Sequence, residues 1–263
     1  MQEEELEGFL HHLADVAARE TLPRFRKIEN VDNKLSSGFD PVTEADQEAE
    51  RAIRKAIIDK WPDHGVIGEE FGDHQADAEY CWVVDPVDGT RAFVVGMPLW
   101  GTLIALCRNM IPIAGIMSQS FTDEKFVGLG GKSMFFHKDE RSEISTSGTK
   151  NLSDAIVMTT APEIFDDNEF RAFKKVADRC KLVRYGGDCY AYCMLAAGHI
   201  ELVIEAGLNF YDMAALVPII EGSGGVITDW AGSQNPQGGN IIAAANPKIH
   251  STALEILKQT FPA

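Results

Sequence analysis

The stretch Trp82-Val83-Val84-Asp85-Pro86-Val87-Asp88-Gly89-Thr90 places the tightest limit on how this chain can fold. An apolar run of strand character leads directly into two aspartates, a glycine and a threonine. In layered α/β proteins the carboxyl end of a strand is where ligands bind. Proline lacks an N–H, so Pro86 is expected to stop the strand and stiffen the turn. Asp85 and Asp88 can then point to one side, with the Val87 carbonyl between them. Gly89 permits close backbone approach. If Thr90 opens a helix, its N–H groups face outward as an anion site. One short stretch can therefore hold a cation and a phosphate that the cation bridges.

Other segments supply further acids: Gly68-Glu69-Glu70 after a short β-type run, Asp46 in Thr43-Glu44-Ala45-Asp46, and Asp212 in Asn209-Phe210-Tyr211-Asp212. Each alone has an ordinary explanation, since acids at helix starts commonly act as caps. Their combination is what counts. Carboxylates gathered without a cation raise one another's pKa. A hard-oxygen cluster of this kind suits Mg²⁺, and two such ions about 3.5–4 Å apart can activate a water and stabilise a leaving oxygen. The net charge of −16, from 24 Lys and Arg against 40 Asp and Glu, points the same way. It disfavours nucleic-acid and anionic-membrane partners, and an anionic substrate would need a bound cation to offset it.

Periodicity predicts a helix over 4–28, a loop over 29–42 and a helix from Thr43 to about Trp61. Strands are expected at Gly65–Gly68, Tyr80–Val84, Leu99–Cys107, Pro112–Ser118, Glu124–Leu129 and Ser133–His137, the later ones as an antiparallel meander. After residue 150 the pattern alternates. Strands are expected at 155–160, 182–185, 200–205, 225–228 and 241–245, with helices at 168–179, 189–197, 212–221 and 247–260, an α/β layering. The change suggests an N-terminal α+β subdomain over 1–150 and a C-terminal α/β subdomain over 151–263. The five cysteines form no CxxC pair and the acidic start MQEEELEGFL lacks a signal peptide's basic region, so a cytoplasmic setting with reduced thiols is expected. No apolar run approaches the ~18 residues of a membrane span. The seven histidines form no metal-spaced set.

Asp85-Pro-Val-Asp88-Gly-Thr90 resembles the first signature of the inositol-monophosphatase family, part of the lithium-sensitive sugar phosphatases. Glu69-Glu70, Thr43-x-x-Asp46 and Asp212-x-Ala-Ala fall in the family's order, so the resemblance spans nearly the whole chain. It implies a layered αβαβα sugar-phosphatase fold, a homodimer, and hydrolysis of a phosphate monoester by a metal-activated water. Glu69, Asp85, the Val87 carbonyl, Asp88 and Asp212 would bind two or three Mg²⁺ ions. Asp46 and Thr90 would orient and deprotonate the water, with Glu69 counted in the catalytic set. Gly89, Thr90 and Lys34 would hold the phosphate. Arg184-Tyr-Gly-Gly-Asp188-Cys-Tyr-Ala-Tyr and Gly96-Met-Pro-Leu-Trp-Gly resemble the histidinol-phosphatase branch, of histidine biosynthesis. There Asp188, Glu205 and, less directly, Asn209 would contact a substrate whose ammonium pairs with a carboxylate. An inositol phosphate, or another sugar or nucleotide phosphate, is the alternative substrate; a catalytically silent phosphate-ligand sensor is the non-enzymatic alternative. A phosphoaspartate mechanism fits less well, because its DxD spacing differs from the Asp85–Asp88 spacing.

Overall fold

The computed structural model describes residues 2–27, 32–33 and 41–260. Helix α1 (Glu3–Thr21) precedes a short pairing of β1 (Asp32–Asn33) with β2 (Pro41–Val42), and α2 (Glu44–Lys60) follows. Next come β3 (Gly65–Gly68), β4 (Gly72–His74), β5 (Tyr80–Asp88) and the short α3 (Thr90–Val94). The meander is β6 (Gly101–Arg108), β7 (Ile111–Gln119), β8 (Glu124–Leu129), β9 (Lys132–His137) and β10 (Glu140–Glu143). The second half runs β11 (Ile156–Thr159), α4 (Asp167–Ala177), β12 (Leu182–Tyr185), α5 (Asp188–Ala196), β13 (Leu202–Leu208), α6 (Phe210–Met213) and α7 (Leu216–Gly222). It closes with β14 (Val226–Asp229), β15 (Gly239–Ala244) and α8 (Pro247–Thr260).

The strands form an eight-stranded sheet in the order β10-β9-β8-β7-β6-β5-β3-β4 and a five-stranded sheet in the order β12-β11-β13-β15-β14. Alternation along β5 sends Trp82 and Val84 to one face and Val83 to the other. The first pair meets Leu10 and Leu13 of α1 and Ile53 and Ile57 of α2. Val83, with Leu103 and Met117, instead packs on Cys193 and Leu195 of α5 and Ile219 of α7, which also cover Val203 and Ile241 of the second sheet. The outer face of that sheet, with Leu202 and Ile242, is closed by Phe173 of α4 and Leu257 of α8. The result is five layers, αβαβα, as expected from the resemblance.

Proline explains three departures from the expected elements. Helix α1 stops at Thr21 rather than 28, because Pro23 has no N–H to continue the ladder. The single helix expected over 212–221 is two. A proline ring clashes with the carbonyl four residues back, so Pro218 cannot extend a helix through Ala214, the C-cap that follows α6. Third, Pro86 does not end β5. Asp85 pairs with Leu103 and Asp88 with Gly101, so three steps on β5 match two on β6, the count of a bulge. Pro86 lies within the bulge, where a missing N–H is tolerated, and its carbonyl accepts the Thr102 hydroxyl at 2.8 Å. Strands β4 and β10 and the β1–β2 pairing were not among the expected elements. All five cysteines are free, and all but Cys180 are buried.

Candidate active site

The bulge brings two acids to one place. In a regular strand, residues three apart face opposite sides of the sheet. One extra residue restores Asp85 and Asp88 to the same side. Asp212, from the start of α6, joins them: ligand oxygens of all three lie within 4.8 Å of one another. Each carboxylate is fixed in rotation by a backbone amide. Asp85 Oδ1 accepts from Val87 N–H at 3.0 Å. Asp88 Oδ2 accepts from Cys189 N–H, in the first turn of α5, at 2.6 Å. Asp212 Oδ2 accepts from Asn209 N–H at 2.6 Å, within a capping box. Glu69 closes the group through a side-chain hydrogen bond to Asp85.

Burial pushes the Asp85 carboxyl well above the usual range, and Glu69, Asp88 and Asp212 push it further. Burial does the same to Asp88, with Asp188 and Asp212 adding to it. Crowded, oxygen-only and with Asp85 buried and Asp88 and Asp212 half-buried, the donor set fits a divalent cation that prefers hard ligands, whose charge would reverse these shifts. The Val87 carbonyl turns toward the same region, where it accepts the Thr90 hydroxyl at 3.0 Å.

Asp46 occupies the third position of the α2 capping box. Its Oδ2 accepts from Thr43 N–H at 2.9 Å and from the Thr43 hydroxyl at 2.5 Å. Its Oδ1 faces the Thr90 hydroxyl at 3.3 Å. Burial raises the Asp46 carboxyl to about 6 against the opposing pull of the Thr43 bonds, with nearby Glu69 raising it too. Capping and site placement are therefore one arrangement, not rival explanations. Gly89 takes φ +83°, and a Cβ there would lie 2.9 Å from the Leu99 carbonyl oxygen, so no larger residue fits.

The opposite wall belongs to the second sheet. A 260 Å³ cleft runs from Asp88, Thr90 and Asp212 to Thr160, Asp188 and Glu205. Glu205 is only 3% exposed. Its Oε1 accepts from Thr160 N–H at 2.8 Å and the Thr160 hydroxyl at 3.2 Å. Burial lifts its carboxyl to about 8, and Asp188 contributes. Asp188 is lifted to about 6 by burial, while a Thr160 hydroxyl bond and Arg91 hold it down. The single Thr160 proton is thus within reach of two carboxylates. Asp188 is the first residue of α5, behind an N-cap at Gly187, and keeps φ +44° after two left-handed glycines.

Of the sequence-derived residues, Asp46, Glu69, Asp85, Val87, Asp88, Gly89, Thr90 and Asp212 come together, and Asp188 and Glu205 face them across the cleft. Asn209 is exposed, caps α6, and is not among the residues lining the cleft. Lys34 lies outside the described residues. Sequence reasoning passed over Arg91, Thr160 and Tyr192, which also line the cleft. Arg91 directly follows the aspartate motif and Tyr192 lies one turn beyond Asp188, so both had a positional signal. Thr160 had only its place at a strand end.

The chain as a whole is similar to known proteins. A chloroplastic bifunctional phosphatase, IMPL2, of Arabidopsis thaliana is 41% identical over 257 residues, covering 94% of this chain and 73% of that protein. A histidinol-phosphatase of Chlorobaculum parvum is 33% identical, covering 89% of each chain. A solved inositol monophosphatase from Zymomonas mobilis superposes with a TM-score of 0.86 at 38% identity, over 98% of this chain and 99% of that one. The sequence model of the inositol monophosphatase family matches residues 2–260. With acids from distant parts of the chain gathered at one site, a solved member matching over nearly the whole fold and a family match of this length, the chain is a member of the inositol monophosphatase family.

Proposed function

We propose that this protein is a Mg²⁺-dependent phosphate monoester hydrolase whose preferred substrate is histidinol phosphate. Glu69, Asp85, the Val87 carbonyl, Asp88 and Asp212 hold the metal, and Gly89, Thr90 and Lys34 hold the phosphate. When bound, Mg²⁺ supplies charge neutralisation for the phosphate and acidifies a water. The chain's own part is proton handling. Thr90 Oγ1 accepts a proton from the attacking water and passes its own to Asp46 Oδ1. The Thr43 bonds hold Asp46 with Oδ1 3.3 Å from the Thr90 hydroxyl, within reach of the proton it is to take. The residues 1–150 carry most of the metal ligands, and residues 151–263 carry Asp212 and the substrate wall.

The observation that supports the substrate is the pair of acids on the far wall. Asp188 and Glu205, both lining the cleft around Thr160, suit an ammonium group better than a neutral polyol. Inositol 1-phosphate remains the competing reading, favoured by the Zymomonas mobilis likeness. Comparison of kcat/KM on the two esters with Mg²⁺ decides: histidinol phosphate should be preferred by about 100-fold or more. A preference for inositol 1-phosphate would overturn the substrate, and phosphate release indifferent to chelators would overturn the chemistry. Among the described residues no helix is long and apolar enough to cross a membrane. We place the enzyme, as a homodimer, in the cytoplasm.

A further inference from the structure

Helix α2 carries a second buried acid one turn beyond Asp46, and the chemistry above makes no use of it. Glu50 is fully buried. Its Oε2 accepts from Glu70 N–H at 2.7 Å, and its Oε1 accepts from Phe71 N–H at 3.2 Å and from Arg54 Nε at 2.6 Å. Arg54 in turn donates to the Gly72 carbonyl. At Gly68 a Cβ would lie 2.1 Å from Glu50 Oε1, so the carboxylate rests directly on the chain. Glu50 and Arg54 together touch Gly68, Glu70, Phe71 and Gly72, the residues on either side of Glu69.

A surface i,i+4 pair contributes little, but a carboxylate removed from water is costly unless its bonds replace hydration. Here those bonds go to the turn that bears Glu69. We propose that Glu50, braced by Arg54, is a positioning residue that sets Glu69 against Asp85. Residues four apart share a helix face, so α2 acts as a rigid spacer between the water-orienting Asp46 and the metal-binding Glu69. This rests on the proposed role of Glu69 as a metal ligand.

The test is calorimetric titration of Mg²⁺ into the metal-free full chain. Glu50→Gln turns an NH₂ toward N–H donors, and Glu50→Asp withdraws the carboxylate by one methylene. Either should weaken Mg²⁺ binding about 10–100-fold, the usual cost of disturbing a group behind a metal ligand. Substrate KM at saturating Mg²⁺ should stay within about twofold, and kcat should largely recover there. Amide exchange at Glu70 and Phe71 should accelerate. Should Glu50→Gln fail to fold, Glu50→Asp decides alone. Glu69→Gln separates the two ideas. If it leaves Mg²⁺ affinity intact, the ligand assignment fails. If it weakens affinity while folded Glu50 variants bind Mg²⁺ as the parent does, the positioning role is wrong, whatever their thermal stability.

Discussion

The two walls of the cleft both bury carboxylates, yet they hold them differently. On the first wall Asp85, Asp88 and Asp212 press their oxygens within 4.8 Å of one another, and their mutual repulsion adds to the burial penalty. On the second wall Glu205 lies in a fitted seat, with two bonds from Thr160. The first arrangement is poised for a strong positive charge, because its acids raise one another's pKa. The second is largely satisfied already and can discriminate among ligands by small differences. The function proposed above gives metal binding to the first wall and the choice of substrate to the second.

The sharpest way to break this division is Asp88→Asn. We expect more than about 100-fold loss of kcat/KM at millimolar Mg²⁺, exceeding the cost of second-layer changes. Circular dichroism should show an intact fold, because removing one charge relieves repulsion. Activity near that of the parent at high Mg²⁺ would show that this wall does not bind the ion.

Asp188→Ala addresses the other wall. Loss of one charge-assisted bond should raise KM for histidinol phosphate about 10–100-fold. Inositol 1-phosphate should be little affected. An equal loss on both esters would mean that Asp188 supports the α5 turn and does not select substrate.

A separate effect falls on stability. Glu205 rises from 4.5 to about 8 on folding, so between those values the folded state binds more protons than the unfolded chain. Stability of the metal-free protein therefore falls as pH rises through that window, and Asp46 adds to the fall between 3.8 and about 6. Mg²⁺ binding has the opposite slope, because protons compete for the ligands. Urea midpoints from pH 5 to 8.5 should decline without metal, and Glu205→Gln should flatten part of the decline. An unchanged slope in that variant would remove Glu205 from the account.

Legibility in the sequence followed the same division. Asp85, Asp88, Gly89 and Thr90 fall within one short stretch, and β3 at Gly65–Gly68 and β12 at Leu182–Tyr185 match the expected strands in full. Local chemistry suffices there. The break between α6 and α7 was readable in principle from Pro218, but the apolar run across it masked the proline's effect. Thr160 was out of reach, because its partner Glu205 is 45 residues away and only the parallel pairing of β11 with β13 joins them. Glu50 was hidden differently: with Arg54 four residues on, it looks like a routine helix-surface pair, and only tertiary packing shows what it holds.

The bulge at Pro86 has a consequence for how this site can vary. The side on which Asp88 emerges depends on whether the number of residues between it and Asp85 is even or odd relative to the facing strand. Sequence change by insertion or deletion works in whole residues. Losing one from Pro86-Val87 would let β5 and β6 zip together more regularly while turning Asp88 away from its partners. A better-formed sheet and a silent enzyme would arrive in the same step, so at this position regularity and activity are opposed.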